Sequence, residues 1–552
     1  MFKKYDPLYA SNNTADKSPK IIYLAIIELF NAQDSDTQKK IQEEVEKQLH
    51  EYLKSASQIE SLLCFQYLYA AFSMKKYDSE LDGKEEHKLR QIEMIRRWEA
   101  RILYVARQEM EHLNLVQNLL VLLNKPPYLK RPNFPVASHI NPLGHPIHLM
   151  PFSLHAVKTF RFWEKPDTLE LQFPEMPDVI IPNIEGIPPD AADDRAFNID
   201  DETIASWEAL KSLIENIISQ SHNIHKAENG TGLTIGRLYN RINIFFYYLI
   251  KQKLLNLDTI NINRIVVEHF GFNLNLDPIV KGKYYQYVNE VITGILEEGE
   301  GVWGVPPPLE SHFTVYQEIL NEYENELSED PDFAPGLPCL INPTLEGSSG
   351  KHKITNKVSK YAIQLFNDCY EVLDLMLYGF FLQYNVDYTT GVRPPIPNSF
   401  FRTSFYPFMT MVIRPLGEMV CRLPADKNYK PINGKIPNKT AGPNFYFNNE
   451  GMSKFYEKLH HSENSGKKSK NKFLSAFKRL AKKTEKLKKL VEQNDYHISN
   501  ASETDARDFD VRLQYLKENL ERIAINFDAY WDGKIEAPIP SKNFQNFSNP
   551  YN

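Results

Sequence analysis

Apolar residues recur at steps of three and four through most of this chain, so the elements that the pattern predicts are helices. The clearest stripe is Ile102, Val105, Ala106, Glu109, His112, Leu113, Val116, Leu119, Leu120 and Leu123. It ends by Asn124, because the prolines that follow lack an amide donor and clash with the preceding turn. Before it, Thr37 to about Tyr77 reads as one long helix, with Glu60, Leu63, Cys64, Tyr67, Ala70 and Ala71 on a shared face. The polar link Asp78 to His87 is short, which makes the two helices antiparallel neighbours in a hairpin.

From Pro126 to about Asp200 the chain is proline-rich, with a short helix expected over Phe152 to Trp163. This stretch reads as a long connection that roofs a pocket. Its His139, His145, His148 and His155 fit neither a helical pair nor a zinc spacing, and are read as loop histidines. Helices with a structural role are expected over 201–222 and 234–256. In the next helix Val288, Val291, Ile292, Ile295 and Leu296 share a face that ends in Glu297-Glu-Gly-Glu-Gly301. After a proline-rich turn, His312, Phe313, Tyr316, Ile319, Leu320 and Tyr323 form another stripe. Pro331, Pro335 and Pro338 mark a boundary, beyond which helices are expected over 355–384, 403–422 and 505–530. The expected organisation is a leader over 1–36, a metal-binding helical domain over 37–330 with an insert at about 126–282, and a helical C-terminal region over 331–552.

Chemistry enters where these apolar stripes are interrupted. Glu60, Glu109, His112 and His312 are polar residues at positions where the pattern asks for carbon, and a buried unpaired carboxylate costs several kcal/mol. Glu109 and His112 are three apart, so they point nearly the same way and can grip one ion. Glu-x-x-His at this spacing is how four-helix bundles hold di-iron and di-manganese centres. Glu111, off the stripe, reads as an ordinary exposed residue. A twofold-symmetric centre would place a glutamate three before His312, but Leu309 stands there. The missing carboxylates must come from elsewhere, and Glu297 and Glu300, three apart, can supply them. Within that cluster periodicity favours Glu298 over Glu297 as the inward residue, and Gly299 can break the helix. The expected set is Glu60, Glu109, His112, Glu297, Glu300 and His312, which suits two iron ions, with manganese the alternative, and leaves positions open for oxygen. Tyr67 and Tyr69 are the candidate electron relays beside it, core packing being the ordinary job of both.

Composition narrows the setting. Of 552 residues, 42% are hydrophobic and 24% charged, as in ordinary globular chains, and a net charge of −7 gives no footprint for nucleic acid. Four cysteines without a CxxC spacing suggest neither a thiolate zinc site nor a disulfide framework, so a reducing, cytoplasmic setting is expected. No run reaches the roughly 18 apolar residues of a membrane helix. The segment 466–490 carries ten lysines and one arginine interleaved with Phe473, Leu474, Phe477, Leu480, Leu487 and Leu490. Such a helix can lie on an anionic membrane or bind nucleic acid, but more often it is the solvated face of a helical arm, here paired with 505–530.

Several stretches together resemble a known family. These are Glu60 to Ala71, Glu109-Met-Glu-His-Leu-Asn-Leu-Val-Gln-Asn-Leu-Leu, Arg131-Pro-Asn-Phe-Pro, Pro151-Phe-Ser-Leu, Glu297-Glu-Gly-Glu-Gly and Ser311-His-Phe. The combination, over roughly residues 45 to 325, resembles the ferritin-like family of the iminophenyl-pyruvate dimer synthases. That resemblance implies an all-α, ferritin-like four-helix bundle and an enzyme that joins two oxidised amino-acid imines on the way to bisindole pigments. Family members are much longer, and some are iron or haem proteins; no haem attachment motif is present here. The expectation is therefore a dinuclear non-haem iron oxidase or oxygenase of secondary metabolism. It would act with dioxygen or peroxide on an amino-acid-derived or similarly small organic substrate, with imine coupling as a close variant, and could work as a homodimer. The alternative is a ferritin-like metal-binding or scaffold protein without redox turnover.

Overall fold

The computed structural model describes residues 35–174 except 83, 167, 168 and 170; 234–299 except 252, 256, 258, 259, 261, 267, 270, 271, 274–278 and 281; 311–346; 352–383; 404–429; 436–451; 466–496; and 508–531. The leader through residue 34 and the helix expected over 201–222 lie outside these residues.

Two helices form the spine, α1 (Ser35–Phe72) and α2 (Glu85–Leu122), joined by a short 3-10 turn at Asp78–Glu80. They pack along each other as the short link requires, burying Ile59, Leu63, Tyr67 and Ala70 of α1 with Ile95, Trp98, Ile102, Val105 and Val116 of α2 in one core. Helix α1 stops earlier than its sequence pattern suggests. Its last residues leave the helix to pair with the proline-containing link, where Leu337 N–H donates to the Ser73 carbonyl at 2.7 Å and Lys75 N–H to that of Pro335 at 2.9 Å. Helix α2 ends where Asn124 takes a positive φ of 53° just before Pro126.

The hairpin is closed from two sides. α3 (Leu154–Trp163) and α6 (His312–Glu329) pack on each other, and α6 also touches α2; α4 (Ile235–Lys251) lies on α1, and α5 (Tyr284–Glu298) bridges α4 and α2. The last turns of α2 are buried all round, which leaves their polar side chains to find partners inside. Asn118 does so by clamping the chain at Val266, accepting from its N–H at 2.8 Å and donating to its carbonyl at 2.9 Å. One two-residue antiparallel pairing, Glu268–His269 with Phe272–Asn273, is the one sheet among the described residues.

A second core lies on the far side of α1. It gathers α7 (Lys357–Gln383), α8 (Tyr406–Val420, with a π-helical turn at Met409–Ile413), α9 (Gly466–Gln493) and α10 (Phe509–Trp531). Tyr69 and Phe72 of α1 and Leu113 of α2 point into it, so the C-terminal region is packed against the bundle. The lysine-rich segment is α9. Its Phe473, Phe477, Leu480 and Leu487 are buried, with Leu513, Leu516, Leu520 and Phe527 of α10 in the same core. Its apolar stripe is thus covered; Lys472, Lys478, Lys482, Lys486 and Lys489 face outward, and Lys483 pairs with Asp368 and Lys488 with Asp510. No helix among the described residues is long and apolar enough to cross a membrane.

Candidate metal centre

The polar interruptions of the stripes meet in one place. Glu60, from the middle of α1, faces Glu109 and His112 of α2, and all three are at most 3% exposed. His312 is the first residue of α6, placed there by Ser311, whose hydroxyl caps the helix by accepting from Thr314 N–H at 3.3 Å. The fifth member is Glu164, which follows the last residue of α3. It lies on the helical stripe of Val157 and Phe160, and its carboxylate sits beside Gly299 at the end of α5. Phe313 N–H donates to the Gly299 carbonyl at 3.3 Å, which brings the ends of α5 and α6 together over the site.

Two triads result, Glu60–Glu109–His112 and Glu109–Glu164–His312, each offering ligand atoms within 4.8 Å of one another. Glu109 belongs to both. Its Oε2 is 3.6 Å from His112 Nδ1, and its Oε1 is 3.1 Å from His312 Nδ1. The outer carboxylates complete the arrangement, with Glu60 Oε2 3.5 Å from His112 Nδ1 and Glu164 Oε2 3.4 Å from His312 Nδ1. The two imidazoles lie 5.4 Å apart between ring centres. Each outer carboxylate also accepts a buried tyrosine hydroxyl, Glu60 from Tyr239 and Glu164 from Tyr67. Such contacts fix how a carboxylate presents its other oxygen. Tyr316, one turn along α6 from His312, packs on Tyr67 with ring centres 5.2 Å apart.

These buried carboxylates and imidazoles could hold metal. With metal–ligand bonds of about 2.0–2.2 Å, atoms on the same ion lie about 3–3.6 Å apart, as the histidine and carboxylate atoms of each triad do, at 3.1–3.6 Å. Nε2 of His312 is buried without a hydrogen-bond partner. Buried polar groups are rarely left so unless something else satisfies them.

The electrostatics have the same cause. Burial raises the Glu60 carboxyl to about 7, against the pull of His112. Burial also acts to raise Glu109, but His312 and His112 outweigh it and hold that carboxyl below its ordinary range. For the imidazoles, burial favours the neutral ring, yet Glu109, Glu298 and Glu60 hold His112 well above its usual value, and Glu164 and Glu109 raise His312 to about 9. A metal-free site therefore balances its carboxylates with imidazolium protons, where divalent cations would do so directly.

Of the residues proposed from sequence, Glu60, Glu109, His112 and His312 are brought together, and Tyr67 lies against the cluster. Glu297 is half-buried and, like Glu298, belongs to neither triad. The Glu298 carboxylate, 45% exposed, reaches His112 Nε2 at 3.2 Å. The side chains of consecutive helical residues diverge by about 100°, so only one of the pair can face α2. Glu300 lies outside the described residues. Glu164 and Tyr239 were missed. The periodicity of α3 carries a faint signal for Glu164, since it sits four residues after Phe160, but nothing local shows that this end of the insert turns inward.

A family model described as Ferritin-like matches residues 53–321, a span that contains all of these residues. No curated protein and no solved structure matches the chain. The all-α architecture is that of a ferritin-like four-helix bundle, carrying a long proline-rich insert and an additional helical C-terminal region.

Proposed function

We propose that the ferritin-like domain holds two iron ions and that the protein is a dinuclear oxidase or oxygenase acting on an amino-acid-derived or similar small organic molecule. The observation that carries this is the sharing of Glu109 between two buried triads, each with its own histidine and outer carboxylate. Glu60, Glu109 and His112 would hold one ion, and Glu109, Glu164 and His312 the other, with Glu298 available beside His112. That gives four carboxylates and two imidazoles, a set suited to iron or manganese with positions left open. When bound, such a pair supplies activation of dioxygen or peroxide.

The chain's own residues set the conditions. Burial of Glu60, Glu109, His112, Glu164 and His312 limits their contact with bulk water, which strengthens the charge interactions among them. Tyr239 and Tyr67 orient the outer carboxylates through their hydroxyls. Tyr67 would also relay an electron, a role supported by the hydrogen-bond contact of its hydroxyl with Glu164, which could take its proton. Burial, with Glu164 next, raises the Tyr67 hydroxyl well above its usual range, so the resting residue is neutral. The resemblance to the imine-dimer synthases supports a coupling variant, in which two imines are held together in a dry site and proximity supplies much of the rate.

Anaerobic reconstitution with ferrous iron followed by metal analysis tests this reading. About two irons per chain are expected in the wild type, and loss of both in Glu109→Ala. Admission of oxygen should then oxidise the bound iron within turnover time. A protein that takes up no iron, or whose Glu109→Ala variant takes up as much as the wild type, would refute the dinuclear centre.

A further inference from the structure

A cavity of about 250 Å³ lies where the bundle meets the C-terminal region, between α1 and α2 on one side and α7 and α8 on the other. Glu60, Cys64 and Glu109 form its inner end, and all three are buried. At the other end Thr410 is exposed and Tyr406 and Met409 are half-buried, so the cavity leads from the surface to the cluster carboxylates. Its wall is mostly carbon: Leu68, Met110 and Leu113 from the hairpin meet Leu377, Phe405 and Ile413 across it.

The cations at its edge are already engaged. Arg414 pairs with Glu99 and Glu418, each at 2.8 Å, and Arg107 pairs with Glu111 at 2.9 Å. These cations therefore do not select for an anionic ligand. The α8 wall includes the π-helical turn Met409–Ile413, a departure from regular helix that is frequently found at functional sites.

We infer that this cavity is the substrate site, that it takes an uncharged, largely apolar molecule with aromatic or alkyl bulk, and that the C-terminal helices are part of it. The polar, reacting end of the ligand points inward to Glu60 and Glu109, and its bulk fills the space between Leu68, Leu377 and Met409. The chemistry done at the inner end rests on the dinuclear reading, whereas the binding of an apolar molecule does not. Enclosed apolar space bordered by a few convergent polar groups is what a small-molecule site requires. Here more than a third of that enclosure comes from outside the ferritin-like span, from Tyr370, Leu373 and Asp374 of α7 through to Phe445.

The probe is N-phenyl-1-naphthylamine, a neutral aromatic whose fluorescence rises in apolar surroundings, titrated into the full chain with and without bound iron. Saturable binding at one site is expected. Leu377→Trp, in the wall, and Met409→Trp, at the half-buried mouth, should each weaken it by about tenfold or more, since added volume in an enclosed space excludes ligand. Far-ultraviolet circular dichroism and iron uptake should stay at wild-type levels, and a variant that loses either is set aside in favour of the other. Absence of saturable binding to the wild type, or unchanged affinity in the folded variants, would overturn the cavity as the ligand site. The two readings fail separately. Loss of probe binding in the tryptophan variants of a protein that takes up no iron would keep the cavity and reject the metals. Full iron uptake with no probe binding would do the reverse.

Discussion

Glu109 is the residue on which the cluster turns, because its two oxygens face different imidazoles. Its substitution and that of its neighbours should therefore differ in kind. Glu164→Ala removes a ligand from one triad only, and metal analysis should show iron falling from about two to about one per chain. Glu297→Ala should leave iron uptake unchanged, since its neighbour Glu298 makes the contact with His112. The reverse pattern, with Glu297 required and Glu164 dispensable, would dismantle this assignment. What sequence could reveal of the site follows the same division. Glu60, Glu109, His112 and His312 are legible because a polar residue on a buried stripe contradicts a strong local pattern, and the phase of α5 already favoured Glu298 over Glu297. Glu164 is not legible in this way. Its helix is short, its flanks are rich in proline, and its inward placement depends on α3 packing on α6, more than a hundred residues along the chain.

At the scale of elements, the hairpin α1–α2 follows from periodicity and a short link, whereas the seat of α8 on α1 has a cause that no pattern announces. Gly417 of α8 lies against the Phe72 ring so closely that an added Cβ would stand 2.5 Å from Cδ2 and 2.7 Å from Cε2. Phe72 is 1% exposed and cannot swing aside. Alanine gains about 1 kcal/mol of helix propensity over glycine. Overpacking a filled interior costs about 1–3 kcal/mol or more, and at this separation the steric term should win. Gly417→Ala is thus expected to lower stability by about 1–2 kcal/mol in urea unfolding. A variant as stable as the wild type would mean that α8 sits farther from α1. Because Phe72 also lines the cavity, a displaced α8 should weaken probe binding as well, tying the two helices' contact to the ligand site.

Across the whole molecule, the buried cluster couples folding to pH and to metal. In the metal-free protein both Glu60, raised to about 7 from 4.5, and His312, raised to about 9 from 6.5, bind protons more tightly folded than unfolded. A raised value gives stability that is full below the unfolded pKa and lost as pH climbs through the folded one, so both groups act in the same direction. These two groups should accordingly lower the stability of the metal-free chain as pH rises from about 4.5 to about 9, Glu60 over the first half and His312 over the second, by an amount on the order of a few kcal/mol. Glu109 runs the other way, its lowered carboxyl contributing stability that disappears only as pH drops below the ordinary carboxylate range. Metal reverses the alkaline limb, because deprotonated ligands bind cations best and a ligand held only by the folded state stabilises it. The difference in Tm between iron-loaded and chelator-treated protein should therefore widen between about pH 6 and about pH 9. A constant difference over that range would mean that metal does not displace these protons, and hence that these six side chains are not the ones that hold it.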